Sequence, residues 1–176
     1  MISFSDPHIS IAQAADATDL VTLLNSAYRG DHSRAGWTTE ADLIEGEVRT
    51  DEDDVRQVIS TPGSVMLAYR DIGPDIIGCM NLQEKKGRIY LGMFSVSPRL
   101  QGGGIGKRLM EAADEYAQQV GARSIYMTVI SVRTELIAWY ERRGYQDTGE
   151  RVPFPEDGRT GKHTRDLEFM VLEKTI

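Results

Sequence analysis

FSVSPRLQGGGIGKRL, residues Phe94 to Leu109, is the stretch that decides how this chain folds. It leaves an apolar run, passes through a glycine-rich turn at residues 101–106 and enters a helical pattern. Glycines let the backbone come close to a ligand and turn successive N–H groups inward, while a helix N-terminus adds unpaired donors and a positive dipole end. Strand, turn and helix start together describe a cradle for a pyrophosphate.

Two nucleotide loops are excluded. A Walker A loop needs Gly-Lys followed by Ser or Thr, and here Arg108 follows Gly106-Lys107, leaving no hydroxyl for magnesium. A dinucleotide fingerprint opens at Gly102 and Gly104 but meets Lys107 where its third glycine belongs, and the turn follows several strands instead of the first.

Working outward, Ile89 to Val96 is mostly apolar and reads as a central strand buried on both faces. The helix from about Gly104 to Val120 carries a stripe of Ile105, Leu109, Ala112, Ala113, Tyr116 and Ala117, and Gly121 stops it. Upstream, Val65 to Tyr69 and Ile76 to Leu82 form an antiparallel hairpin about Gly73-Pro74, with Lys85-Lys86-Gly87 as the next turn. Earlier still, Ser10 to Gln13 reads as a short strand. Asp16 then caps a helix bearing Leu20, Leu23, Leu24 and Ala27, a polar loop leads to a helix capped at Thr38 or Thr39, and another helix spans Asp51 to Ile59. Beyond the motif come a strand at Ser124 to Val129, a helix at Arg133 to Arg143, and strands at Gln146 to Arg151 and Leu167 to Leu172. Pro153 to His163 reads as a long loop able to fold over a site. With no repeat or linker, residues 9–174 are expected to form a single domain.

The composition, 40% hydrophobic and 27% charged, suits a globular domain with a real core. The lone Cys79 rules out an intramolecular disulfide, and the start MISFSDPHISIAQ lacks the basic and apolar regions of a signal peptide, so a cytoplasmic location is expected. No window approaches the roughly 18 apolar residues of a membrane span. A net charge of -7 opposes nucleic acid. Three histidines and one cysteine, scattered without ligand spacing, predict no catalytic metal. The acidic residues of 40–54 favour a cationic ligand early in the chain; Arg99, Lys107, Arg108, Arg142 and Arg143 favour an anionic one late, although each alone reads as solvated surface.

Gln101-Gly102-Gly103-Gly104-Ile105-Gly106 resembles the Q/R-x-x-G-x-G/A pyrophosphate loop of the GNAT superfamily of N-acetyltransferases. The resemblance extends upstream through Val96-Ser97-Pro98. Downstream, Ala138 to Tyr145 is similar to A-x-x-Y-E-x-x-G-F/Y, with one residue instead of two between Ala138 and Tyr140. It covers the chain from about Ile9 to Lys174 and implies an α/β fold: a mixed, twisted sheet of six or seven strands flanked by helices. Acetyl-CoA would lie where two central strands splay apart. By the same resemblance, Phe94, Ser95 and Val96 form the strand segment along the pantetheine, whose amides pair with backbone groups of Phe94 and Val96, and Gln101, Gly102, Gly103, Gly104, Ile105, Gly106 and Lys107 enclose the pyrophosphate. Arg133 stands where the family often has asparagine, and either reaches a phosphate or faces water.

Acetyl transfer to an amine needs a neutral nitrogen, donors for the developing oxyanion and a proton for the departing thiolate. The resemblance implies Tyr140 as the acid. The Val96 N–H is the simplest oxyanion donor. Glu84, near the end of the preceding strand, is a candidate base, and His32 and Trp37 lie in the early loop where the family often contacts its acceptor. The expected acceptor is a small-molecule amine and a homodimer is compatible with the fold; a non-catalytic acyl-CoA-binding module is the other reading.

Overall fold

The computed structural model describes residues 1–28, 44–45, 50–153, 162–163 and 167–176. Among these, seven strands form one mixed sheet: β1 (Ile9–Ile11), β3 (Ser64–Tyr69), β4 (Gly78–Lys85), β5 (Arg88–Val96), β6 (Ser124–Ile130), β9 (Glu168–Thr175) and β7 (Gln146–Pro153), in that spatial order. Neighbours are antiparallel except β5 and β6, which run parallel. A two-stranded ladder joins β2 (Ile44–Glu45) to β8 (Lys162–His163), inside the segment expected to be a loop.

Four described helices cover the sheet. On one face, α1 (Ala17–Tyr28) and α2 (Glu52–Ser60) bury Leu20, Leu24 and Val55 against Met66, Ala68 and Cys79. On the other, α3 (Ile105–Gln119) and α4 (Thr134–Glu141) bury Leu109, Ala113, Ile137 and Tyr140 against Leu67, Met80, Ile89 and Met127. The stripe on α3 is the one its 3.6-residue period requires, with Leu109, Ala112, Ala113, Tyr116 and Ala117 all buried. Asp51 caps α2 by accepting from the Asp54 N–H at 2.9 Å.

Element boundaries differ from the expected ones mostly by one to three residues, and three features differ in kind. Asp16 does not cap α1: it ends a 3₁₀ turn (Ala14–Asp16), its carboxylate accepting from the Gln13 N–H at 2.8 Å and pairing with Arg70 at 2.8 Å. The central strand β5 is not uniformly buried, with Tyr90, Gly92, Met93 and Phe94 half-buried between buried Ile89, Leu91, Ser95 and Val96, and a bulge interrupts it. Asn81 pairs with Gly92 and Cys79 with Ser95, so Met80 stands opposite both Met93 and Phe94, and Met93 takes a left-handed φ of 48°. Packing also begins before Ile9: the Ser3 and Ser5 N–H groups donate to Gln119 and Glu115 on α3 at 3.0 and 2.8 Å, while Ile2 and Phe4 join the core.

Candidate active site

The parallel ladder between β5 and β6 holds at Ile89–Ile125 and Tyr90–Tyr126 and goes no further. Beyond Tyr90 the strands part, and the gap becomes a cleft of about 240 Å³. Gly78–Val96 is a non-hydrogen-bonded pair, since the Ser97 N–H reaches the Ile77 carbonyl at 2.8 Å. Val96 therefore points its own N–H and C=O away from β4, toward the gap. Gln101 Nε2 donates to that carbonyl at 3.0 Å, tying the loop back to the strand.

The loop turns on two left-handed glycines, Gly102 and Gly104, both at φ 87°. Gly104 is also the residue that starts α3, and as it has no side chain it leaves the first helical N–H groups uncapped and facing the cleft. Gln101, Gly102, Gly104, Gly106 and Lys107 line the cleft on this side, and Phe94, Ser95 and Val96 line it from β5. Gly103 and Ile105 do not: Ile105 turns to the sheet, its Cγ2 3.0 Å from where a Cβ on Gly78 would stand.

The third wall comes from α4. Leu136, Trp139, Tyr140 and Arg143 follow one another at i, i+3, i+4 and i+7 and all face the cleft, with the almost fully buried Arg133 just before the helix. Tyr140 is 5% exposed, its ring centroid 6.3 Å from Phe94, 5.3 Å from Trp139 and 6.0 Å from Tyr145. Arg143 lays its guanidinium 3.5 Å from the Trp139 ring centroid and donates to the Trp139 carbonyl at 2.9 Å, while its Nε is buried without a hydrogen-bond partner. Burial, with Arg142 nearby, pushes the Arg143 pKa down, the direction an anion in the cleft would reverse. From the sequence, Leu136 and Trp139 are not named as site residues, Arg143 is read only among the late cations, and Ala27, from α1, only as part of an apolar helix face. For the first three the signal was available as a helical stripe through Tyr140.

The bulge decides which way β5 side chains point. Paired residues share a face, so Ser95 lies with Cys79 on the α1 side, and Phe94, one residue earlier, packs with Trp139 on the α3/α4 side. Ser95 is 4% exposed and its Oγ has no hydrogen-bond partner.

Glu84 is placed elsewhere. β4 and β5 are antiparallel, so the end of β4 meets the start of β5: Glu84 pairs with Ile89 whereas Gly78 pairs with Val96, a separation of roughly 20 Å of strand. Its carboxylate accepts from the Tyr116 hydroxyl at 3.3 Å, and burial together with this carboxylate pushes the Tyr116 pKa up to about 12. The geometry withdraws Glu84 as a base at this cleft. Arg108, one of the late cations, is also committed elsewhere, bonding Asp6 and the Tyr69 hydroxyl. His32 and Trp37 lie outside the described residues. Among the described residues no His/Cys/Asp/Glu cluster could hold a metal ion, and no helix is long and apolar enough to cross a membrane.

The cleft suits an anionic ligand: uncapped N–H groups, Lys107, Arg133 and Arg143, and no carboxylate among its described lining residues. The comparisons agree with this geometry. Over 67 residues the chain is 33% identical to a spermine/spermidine N(1)-acetyltransferase of Bacillus subtilis, a match spanning 38% of this chain and 44% of that relative, less than half its length. The structure superposes on a ribosomal-protein-alanine N-acetyltransferase from Brucella melitensis with a TM-score of 0.71 at 18% identity, covering 96% of this chain and 99% of that one. It superposes on a GNAT-family acetyltransferase from Staphylococcus aureus with a TM-score of 0.68 at 13% identity, covering 95% and 97%. These two likenesses concern the fold. The model of the acetyltransferase (GNAT) family matches residues 19–145, most of the chain and all three walls of the cleft, and the chain belongs to that family.

Proposed function

We propose that this chain transfers the acetyl group of acetyl-CoA to a primary amine of a small molecule. The observation that carries the reading is the cleft between β5 and β6, with a glycine loop and helix N-terminus at one end and a buried tyrosine within. The naming of spermine and spermidine in the relative supports an amine acceptor.

Acetyl-CoA supplies an activated thioester, and the residues supply its surroundings. The N–H groups at the start of α3, with Lys107 and Arg143, hold the phosphates as point and dipole charges in a site without opposing carboxylates. Val96 offers its N–H to the carbonyl oxygen that gains charge as the amine attacks. The C–N bond forms, the C–S bond breaks, and the Tyr140 phenol gives its proton to the leaving sulfur. The surplus amine proton leaves to water, which restores the phenol. Phe94, Trp139 and Tyr145 surround the phenol ring, fixing its position.

The test mixes protein and acetyl-CoA with polyamines, amino acids, aminoglycosides and peptides, following free thiol beside Tyr140→Phe. Amine-dependent release that falls in the variant supports transfer and identifies the acceptor. Tight cofactor binding with no release across the panel favours a non-catalytic acyl-CoA-binding module.

A further inference from the structure

The cleft is lined from both faces of the sheet, and its polar groups are divided between them. The glycine loop, Trp139, Tyr140 and Arg143 belong to the α3/α4 side, where the phosphates and the leaving sulfur are accommodated. Ala27 and Ser95 belong to the α1 side. Ser95, opposite in face to its neighbours Phe94 and Val96, shares the face of Tyr90 and Gly92 because the extra residue at Met93 lies between them. Its backbone is spent on the Cys79 pair, and Ser95 is one of the residues that line the cleft. That hydroxyl is buried and unpartnered, an arrangement that costs stability unless a ligand completes it.

We infer that the Ser95 Oγ receives the amino group of the acceptor, entering from the α1 side, and is not a cofactor ligand. This rests on the acetyltransferase reading. A serine hydroxyl accepts one N–H of a neutral primary amine and so turns the nitrogen lone pair toward the thioester carbon across the gap. With no carboxylate among the described lining residues, the described cleft offers the nitrogen a hydrogen bond and no counter-charge, which favours its neutral, nucleophilic form. On the same face of β5, the Tyr90 ring leans over Gly92, 3.1 Å from where a Cβ would stand, and its hydroxyl lies 3.5 Å from Thr128 Oγ1 on β6.

The experiment compares wild type, Ser95→Ala and Ser95→Thr by calorimetric titration with CoA and by steady-state kinetics with the best amine of the panel. Loss of one neutral hydrogen bond is expected to raise the acceptor KM of Ser95→Ala about fivefold with CoA affinity unchanged. Ser95→Thr, which keeps a hydroxyl, is expected to recover most of the loss. Weakened CoA binding in Ser95→Ala, or an unchanged acceptor KM while the wild type transfers acetyl normally, overturns the inference and leaves the acetyltransferase reading standing. A wild type that transfers to no amine overturns both.

Discussion

Arg143 stacks on the ring of Trp139 and donates to the carbonyl of the same residue, yet its Nε is buried with no partner. A guanidinium held in this way is pre-aimed at an anionic oxygen and destabilises the empty protein. Arg143→Met is therefore expected to weaken CoA binding about tenfold while leaving Tm unchanged or slightly higher. CoA titration and thermal unfolding of one protein batch check both halves, and a large fall in Tm would contradict the account.

Gly104 and Gly106 are expected to fail for different reasons when replaced by alanine. At Gly104 a Cβ meets nothing within 4 Å, but φ is 87°, so Gly104→Ala costs about 1 kcal/mol of backbone strain and disturbs the start of α3. At Gly106 a Cβ stands 3.3 Å from Phe94 Cζ and 3.5 Å from Trp139, so Gly106→Ala displaces the rings that surround Tyr140. Gly106→Ala should thus lower kcat as well as CoA affinity, and steady-state kinetics separates the two.

Two neighbouring tyrosines give opposite outcomes. The Tyr145 hydroxyl is buried without a partner, and burial, with Asp114 nearby, pushes its pKa up, so it stays protonated and idle. Tyr145→Phe should change stability by less than about 1 kcal/mol and retain turnover, since only an unsatisfied hydroxyl is removed. Tyr140→Phe should lose most thiol release with its fold intact. Circular dichroism and a thiol assay on the pair decide this.

Asp6 joins the N-terminal segment to α3 through Arg108. Burial raises its pKa, but hydrogen bonds from Arg108 and His8 outweigh this and hold the carboxyl below its ordinary value of 3.8. A depressed folded-state pKa contributes stability above the unfolded value and loses it as pH falls through the folded one. Asp6→Asn should therefore lower Tm at neutral pH, with the gap from wild type closing below about pH 4. Equal gaps at pH 7 and pH 3 would contradict the ion pair's role.

Most of the cleft's glycine-loop wall was legible because its signals are local: glycines at fixed offsets between an apolar run and a helical stripe. Trp139 and Arg143 follow from helical spacing once Tyr140 is placed. Glu84 misled because position near a strand end says nothing of which end of the sheet it reaches until strand direction is known. The bulge was harder. Gly92 within a strand pattern hints at one, but only the Asn81–Gly92 and Cys79–Ser95 pairings show that the extra residue is Met93.

That extra residue also sets how the site tolerates changes in chain length. Loops can absorb insertions by bowing outward, but β5 is clamped by β4 along its whole length. Removing Met93 would leave Gly92 and Ser95 two residues apart, still opposite Asn81 and Cys79, so the ladder would become regular with both residues on the face they already occupy. A one-residue deletion here would straighten β5 and leave the two faces of the site as they are.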